Sequence, residues 1–141
     1  NFPFLQASIK KLKESGSLVV LFIEATTESV SLAKELGAQA IEIHTGPFCL
    51  AMNKAKDLNS RLALVRELQE ISHFAHSLKL HVHCGHGLNY ENASYLQLIP
   101  ELQEANIGHS IIARSLYVGL VQAIKDMKEL LNNPNLCPKN I

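Results

Sequence analysis

Residues 81–88, His-Val-His-Cys-Gly-His-Gly-Leu, place a histidine between two glycines at the end of a β-favouring segment. Imidazole titrates near neutral pH, so His86 at a strand end is equipped to pass protons. Gly85 and Gly87 are read as letting the backbone bend sharply and leaving room for a ligand beside the ring. A second polar set, Glu42-Ile43-His44-Thr45, closes another apolar segment. A carboxylate in such surroundings is costly unless it is paired or used, which makes Glu42 either a paired buried carboxylate or a functional group. The third set is Gly108-His109. A glycine beside a helix start exposes backbone N–H groups to an anion, and the helix dipole favours negative charge there.

The elements that must position these residues follow from apolar spacing. Leu5, Ile9 and Leu12 repeat at helical intervals, and Gly16 stops the helix. Leu18 to Ile23 is a continuous apolar run, read as a strand covered on both faces. Thr27 and Glu28 open a helix that carries Val30, Leu32, Ala33 and Leu36 and ends at Gly37. Ala40 to His44 is a second buried strand, broken by Thr45-Gly46-Pro47. A polar loop then leads to a long helix over about Ser60 to Ser77. The third strand is Leu80 to Cys84. A helix is expected from Asn89 or Tyr90 to just before Pro100, and a short fourth strand around Ala105 to Ile107. From Ser110 onward a helical stripe runs from Ile112 to Leu131, with a break at Gly119. The tail from Asn132 to Ile141 is expected to be loosely ordered.

Strand and helix alternate four times, which predicts an α/β chain with a parallel sheet. No Gly-x-Gly-x-x-Gly follows the first strand, so a dinucleotide fold is disfavoured. A doubly wound sheet and a (β/α)8 barrel both remain compatible. Both put their active sites beyond the carboxyl ends of the strands, where Glu24, Glu42 to Thr45, His86 and His109 gather. A complete barrel usually needs about 250 residues, so four units make half of one.

The chain has 141 residues, of which 47% are apolar, and its 13 basic residues balance 13 acidic ones. Bulk charge therefore points to neither nucleic acid nor an anionic membrane. No apolar run approaches the roughly 20 residues of a membrane span. Asn1-Phe2-Pro3-Phe4 lacks the succession of a signal peptide. Three cysteines, Cys49, Cys84 and Cys137, without CxxC spacing suit reduced thiols in a cytoplasmic protein.

Four segments, taken in order, carry a resemblance. They are Phe22-Ile23-Glu24, Ile41 to Gly46, Gly85 to Tyr90, and Asn106 to Ile112. At these segments the chain resembles pyridoxine 5′-phosphate synthase, over nearly its whole length except the tail. Aspartate is common near Glu24 in the family and glycine near Ala113, and no role passes to His83 or Cys84. The resemblance implies a (β/α)8 barrel whose last four βα units are residues 1–131, with 132–141 an irregular tail. The family's N-terminal half is absent from this sequence, which is read as beginning inside a family helix. That half carries further acid–base residues, so the 141-residue chain alone is expected to be inactive.

The resemblance also implies an activity. The family condenses 3-amino-2-oxopropyl phosphate with 1-deoxy-D-xylulose 5-phosphate in vitamin B6 synthesis, releasing inorganic phosphate and water. It uses no metal and no organic cofactor. By the same resemblance His86 is the general acid, Glu42 stabilises a transition state, and Gly87, Gly108 and His109 contact substrate. The partners implied are these phosphorylated small molecules and further copies of the chain, up to an octamer, with no nucleic acid and no membrane.

Two rival readings come from the residues themselves. His81-x-His83, with His86, His109 and Cys84, could supply zinc ligands to a metal-dependent hydrolase on an α/β barrel. Gly108-His109 could instead grip phosphate in a non-catalytic half-barrel module. His44 is read as a hydrogen-bonding partner of a neighbouring strand end. His81 and His83 share a strand face as packing residues. His73 and His76 lie on the long helix facing solvent or a neighbouring helix. As half a barrel, the chain is expected to expose the apolar residues of Leu18 to Ile23 and Ile41 to Ile43, and to associate or fold poorly.

Overall fold

A computed structural model describes residues 1–138. Helix α1 (Phe2–Glu14) precedes strand β1 (Val20–Ile23), and α2 (Thr27–Glu35) leads into β2 (Ala40–His44). Two helices follow, α3 (Gly46–Lys54) and α4 (Leu58–Ser77), before β3 (His81–Gly85). A 3₁₀ segment (Ala93–Leu98) reaches β4 (Leu102–Asn106), and α5 (His109–Val118) and α6 (Leu120–Asn132) close the series. All three strand pairings are parallel. The sheet order is β1-β2-β3-β4, each strand beside its successor. These four strands show no reversal of order, the switch point of a doubly wound sheet. Right-handed crossovers wound always in one direction put their helices on one face of the sheet.

The two faces of the sheet differ as that winding requires. In-register residues of parallel strands point to the same side, and successive residues alternate. One face carries Leu21, Ile23, Ile41, Ile43, Val82 and Cys84, which join Val30 of α2 and Val65 and Leu68 of α4 in the main core. The other carries Phe22, Glu42, His44, His81, His83, Glu104 and Asn106. A bulge between Val82 and His83 makes Gln103 the extra residue opposite β3 and brings Glu104 level with His83.

Several boundaries fall where the residues dictate. Thr26 caps α2 by accepting from Ser29 N–H at 3.1 Å, and Asp57 caps α4 by accepting from Ser60 N–H at 2.9 Å. The break expected at Gly119 separates α5 from α6, with φ 81° and ψ 152°. Among the described residues no helix is long and apolar enough to cross a membrane.

Four expectations need correction. β1 is shorter than Leu18 to Ile23 and is covered on one face only. It is an edge strand, and Phe22 on its open face is 55% exposed. Ile41 and Ile43, expected to meet water, are fully buried under the helices, so the open face of the sheet is largely polar. The supposed polar loop after Pro47 is α3. Strand β2 does end before Thr45-Gly46-Pro47, but proline within a helix's first turn gives up an N–H that has no intrahelical partner there, so Pro47 also helps start a helix. The helix expected from Asn89 is replaced by turns and the 3₁₀ segment. Asn89 Oδ1 accepts from Glu91 N–H and Asn92 N–H, and Asn92 Oδ1 accepts from Asn89 N–H, which competes with helical pairing. Past α6, Pro134–Leu136 forms a single 3₁₀ turn, and positions 139–141 of the expected irregular tail lie outside the described residues.

Candidate active site

Beyond the carboxyl ends of β2, β3 and β4 lies a cavity of about 580 Å³. Glu42, His86, Gly87, Gly108 and His109, drawn from three strand ends, all line it, together with Phe22, Asn106 and Ser110.

His86 is exposed and has φ +77°, the left-handed region in which histidine is tolerated but not favoured. Such a backbone costs roughly 1–3 kcal/mol and persists only where its surroundings over-determine it. Thr45 supplies that restraint. It is fully buried, its N–H donates to Gly85 O at 2.9 Å, and its hydroxyl lies 2.7 Å from Gly85 O and 2.8 Å from His86 O. Cys49 Sγ adds a weak contact to His86 O at 3.8 Å. Burial pushes the Cys49 thiol up to about 11, and Cys84, buried beside Cys49 and Glu42, to about 12. Both are therefore neutral packing groups near pH 7 and not nucleophiles.

The two glycines flanking His86 serve different purposes. Gly87 has φ +81°, and a Cβ there would crowd Cys49. Gly85 does not adopt positive φ, so it is not a bending residue as expected. A Cβ at Gly85 would collide with Glu42 Oε1 and lie 3.2 Å from Asn106 Cβ. Its bareness lets the Glu42 carboxylate lie over β3, where Asn106 Nδ2 donates to Glu42 Oε2 at 2.8 Å.

At the far wall, α5 begins at His109 with Gly108 as its N-cap and no side-chain cap. Ser110 Oγ donates to Leu88 O at 2.8 Å, which ties the start of α5 to the loop after β3. Gly108 has φ −112°, open to any residue, and a Cβ would meet nothing within 4 Å. Neither backbone nor packing therefore requires glycine here. The space lies beside the uncapped N–H groups of a helix, where an anion is favoured.

The remaining histidines do not line this cavity. His44 Nδ1 meets Glu24 Oε1 at 3.0 Å, the neighbouring-strand-end bond expected of it. His81 bonds Gln103 at 2.6 Å, His83 faces Glu104 at 3.9 Å, and His73 bonds Glu101 at 3.1 Å. The zinc reading required His81, His83, Cys84, His86 and His109 to converge. Among the described residues no three His, Cys, Asp or Glu side chains gather in metal-ligand geometry. Sequence reasoning missed Asn106 and Gly46, and it placed Thr45 in the polar set closing β2 without a role. Asn106 offered a signal, being a polar strand-end residue two places before Gly108. Gly46 offered none beyond following β2.

Comparison with known proteins decides the family. The family model described as pyridoxal phosphate biosynthesis protein PdxJ matches residues 1–133. The chain belongs to the PdxJ family. It is 42% identical over 123 residues to the pyridoxine 5′-phosphate synthase of Idiomarina loihiensis, covering 87% of this chain and 49% of that protein. The corresponding protein of Aliarcobacter butzleri is 40% identical over 153 residues, covering 94% and 58%. That of Sulfurihydrogenibium sp. is 42% identical over 130 residues, covering 92% and 51%. The chain spans about half the length of these curated PdxJ relatives.

Proposed function

We propose that this chain supplies the last four βα units of a (β/α)8 barrel, residues 1–131, in a pyridoxine 5′-phosphate synthase. The reaction is the condensation of 3-amino-2-oxopropyl phosphate with 1-deoxy-D-xylulose 5-phosphate, releasing phosphate and water. The observation that carries this reading is the convergence of Glu42, His86, Gly87, Gly108 and His109 on one cavity beyond the strand ends. The consecutive strand order supports the barrel, as does the polar face opposite the helices, since a barrel interior beneath an active site can hold such groups.

In this reading the uncapped start of α5 with Gly108 and His109 takes a substrate phosphate. Gly87 brings backbone close to the substrate on the opposite wall. His86, displayed on a restrained left-handed residue, gives a proton to a departing oxygen, so that it does not leave as an anion. Glu42 faces the positive charge that develops on nitrogen as the ring forms, and water exclusion strengthens that attraction. The remaining acid–base groups come from the other half of the barrel. The complete enzyme works without metal or organic cofactor, in the cytoplasm, as a homo-oligomer.

The test is His86→Asn in the full-length enzyme. Turnover should fall by roughly 10²–10⁴-fold with little change in KM. Unchanged turnover would overturn the acid role.

A further inference from the structure

We propose that His44 is a positioning residue for His86, and that Glu24 and Gly46 are what make it one. This rests on the acid role proposed above for His86. Among the described residues no hydrogen bond reaches the His86 ring, so its direction depends on the backbone restraint and on what the ring touches. It touches His44 edge-on, with centroids 4.9 Å apart and planes at 70°.

The His44 ring is held on its other sides. Its centroid lies 5.1 Å from that of Phe22. Its Nδ1 lies 3.0 Å from Glu24 Oε1, and an ionised carboxylate only accepts, so Nδ1 carries the proton. That bond fixes the ring plane and, in the neutral ring, the tautomer. His44 and Glu24 line a separate cavity of about 370 Å³ beyond β1 and β2, away from Glu42 and Gly108. His44 therefore acts on the chemistry through His86 and not by touching substrate.

Gly46 is the space that lets the two rings meet. It lies in the first turn of α3 without positive φ, so backbone conformation does not demand glycine, and helix propensity argues against it. A Cβ at Gly46 would stand 2.6 Å from His44 Nε2 and 2.9 Å from His86 Cδ2. No ordinary contact is that close, so alanine would drive the rings apart. The acid's direction is thus set by residues on three elements: the end of β1, the end of β2 and the start of α3.

The experiment uses the full-length enzyme with Glu24→Ala, Glu24→Gln, Gly46→Ala and the control His86→Asn. Glu24 is 64% exposed, so its variants should fold normally. Glu24→Ala and Gly46→Ala should each lower kcat by about 10–100-fold with KM within about threefold, because small misplacements of a catalytic group are expensive. Glu24→Gln keeps an acceptor and should recover most of the loss. In the His86→Asn background neither change should cost anything further, as expected for residues acting through one group. The His86 imidazole resonances in ¹H–¹⁵N spectra should shift in Glu24→Ala and Gly46→Ala, whether or not turnover is measurable. Unmoved resonances, or full turnover in both variants beside an inactive His86→Asn, would overturn the positioning role. An unaffected His86→Asn would instead remove the acid role, and the ring resonances would still decide the positioning.

Discussion

Asn106 Nδ2 donates to Glu42 Oε2 at 2.8 Å, joining residues 64 apart in the chain. The bond runs from the end of β4 to β2 across the intervening β3, and it passes over Gly85, which pairs with Asn106 in register. One bare residue in the middle strand lets two side chains from its neighbours meet. The pairing keeps a carboxylate oriented toward the cavity with one oxygen satisfied.

Asn106→Ala in the full-length enzyme should therefore release Glu42. Losing a hydrogen bond to a charged group costs about 1.5–3 kcal/mol, which corresponds to a fall in kcat/KM of roughly 10–100-fold. Gly85→Ala should do at least as much by displacing both partners. Steady-state kinetics on the two variants checks this, and wild-type values in both would remove Glu42 from the reaction.

Gly108→Val should fill the open space beside the start of α5. The φ of −112° tolerates valine and no atom lies within 4 Å of a Cβ, so thermal stability should change little. Affinity for the phosphorylated amino ketone should drop, since close backbone approach to the phosphate is blocked. Calorimetric titration measures it, and equal affinity in both proteins would exclude a phosphate cup at this helix end.

The buried thiols give the protein an alkaline limit. Cys49 and Cys84 are raised from 9.0 to about 11 and about 12, chiefly by burial. An unfolded chain loses these protons near pH 9 while the folded one keeps them. Their contribution is thus complete below about pH 9 and is lost as pH rises toward 11–12, at up to roughly 1.4 kcal/mol per pH unit for each thiol. Denaturant unfolding between pH 8 and 11 should show the decline, and Cys84→Ala should flatten it. An equal slope in the variant would place the alkaline loss elsewhere.

Residues 1–141 alone should associate in solution, only partly for the reason the strands suggested. Ile41 and Ile43 are covered by helices, but Leu18 and Phe22 in the first stretch are exposed, as are Phe4 on α1 and Leu116, Tyr117 and Val121 on α5 and α6, at 66%, 82%, 91% and 69%. Among the described residues the outer edges of β1 and β4 are also unpaired. Sedimentation velocity should find assemblies that disperse when the complementary half is supplied. A monodisperse monomer with a sharp thermal transition would show these units to be complete by themselves.

Local order was legible because it depends on neighbours in sequence. Ala40 to His44 is strand in both views, the helix stops at Gly16 and Gly37 are where spacing put them, and Gly119 does divide the last helical stripe. The strand break at Thr45-Gly46-Pro47 was legible, but the helix that begins there was not, because it rests on the hydrogen bonds of α3. Glu42, His86, Gly87, Gly108 and His109 could be singled out from residue type, position at strand ends and family resemblance. What joins them depends on register between strands far apart in sequence. Whether Ile41 or Glu42 meets water is decided by which face the helices cover, and alternation alone leaves that choice open. In the sequence Gly85 reads as a bend beside His86 and Gly46 as part of the break after β2. In the folded chain they are vacancies, one filled by the Glu42 carboxylate and the other by the His44 and His86 rings, because a missing Cβ takes its meaning from the atoms that tertiary packing brings beside it.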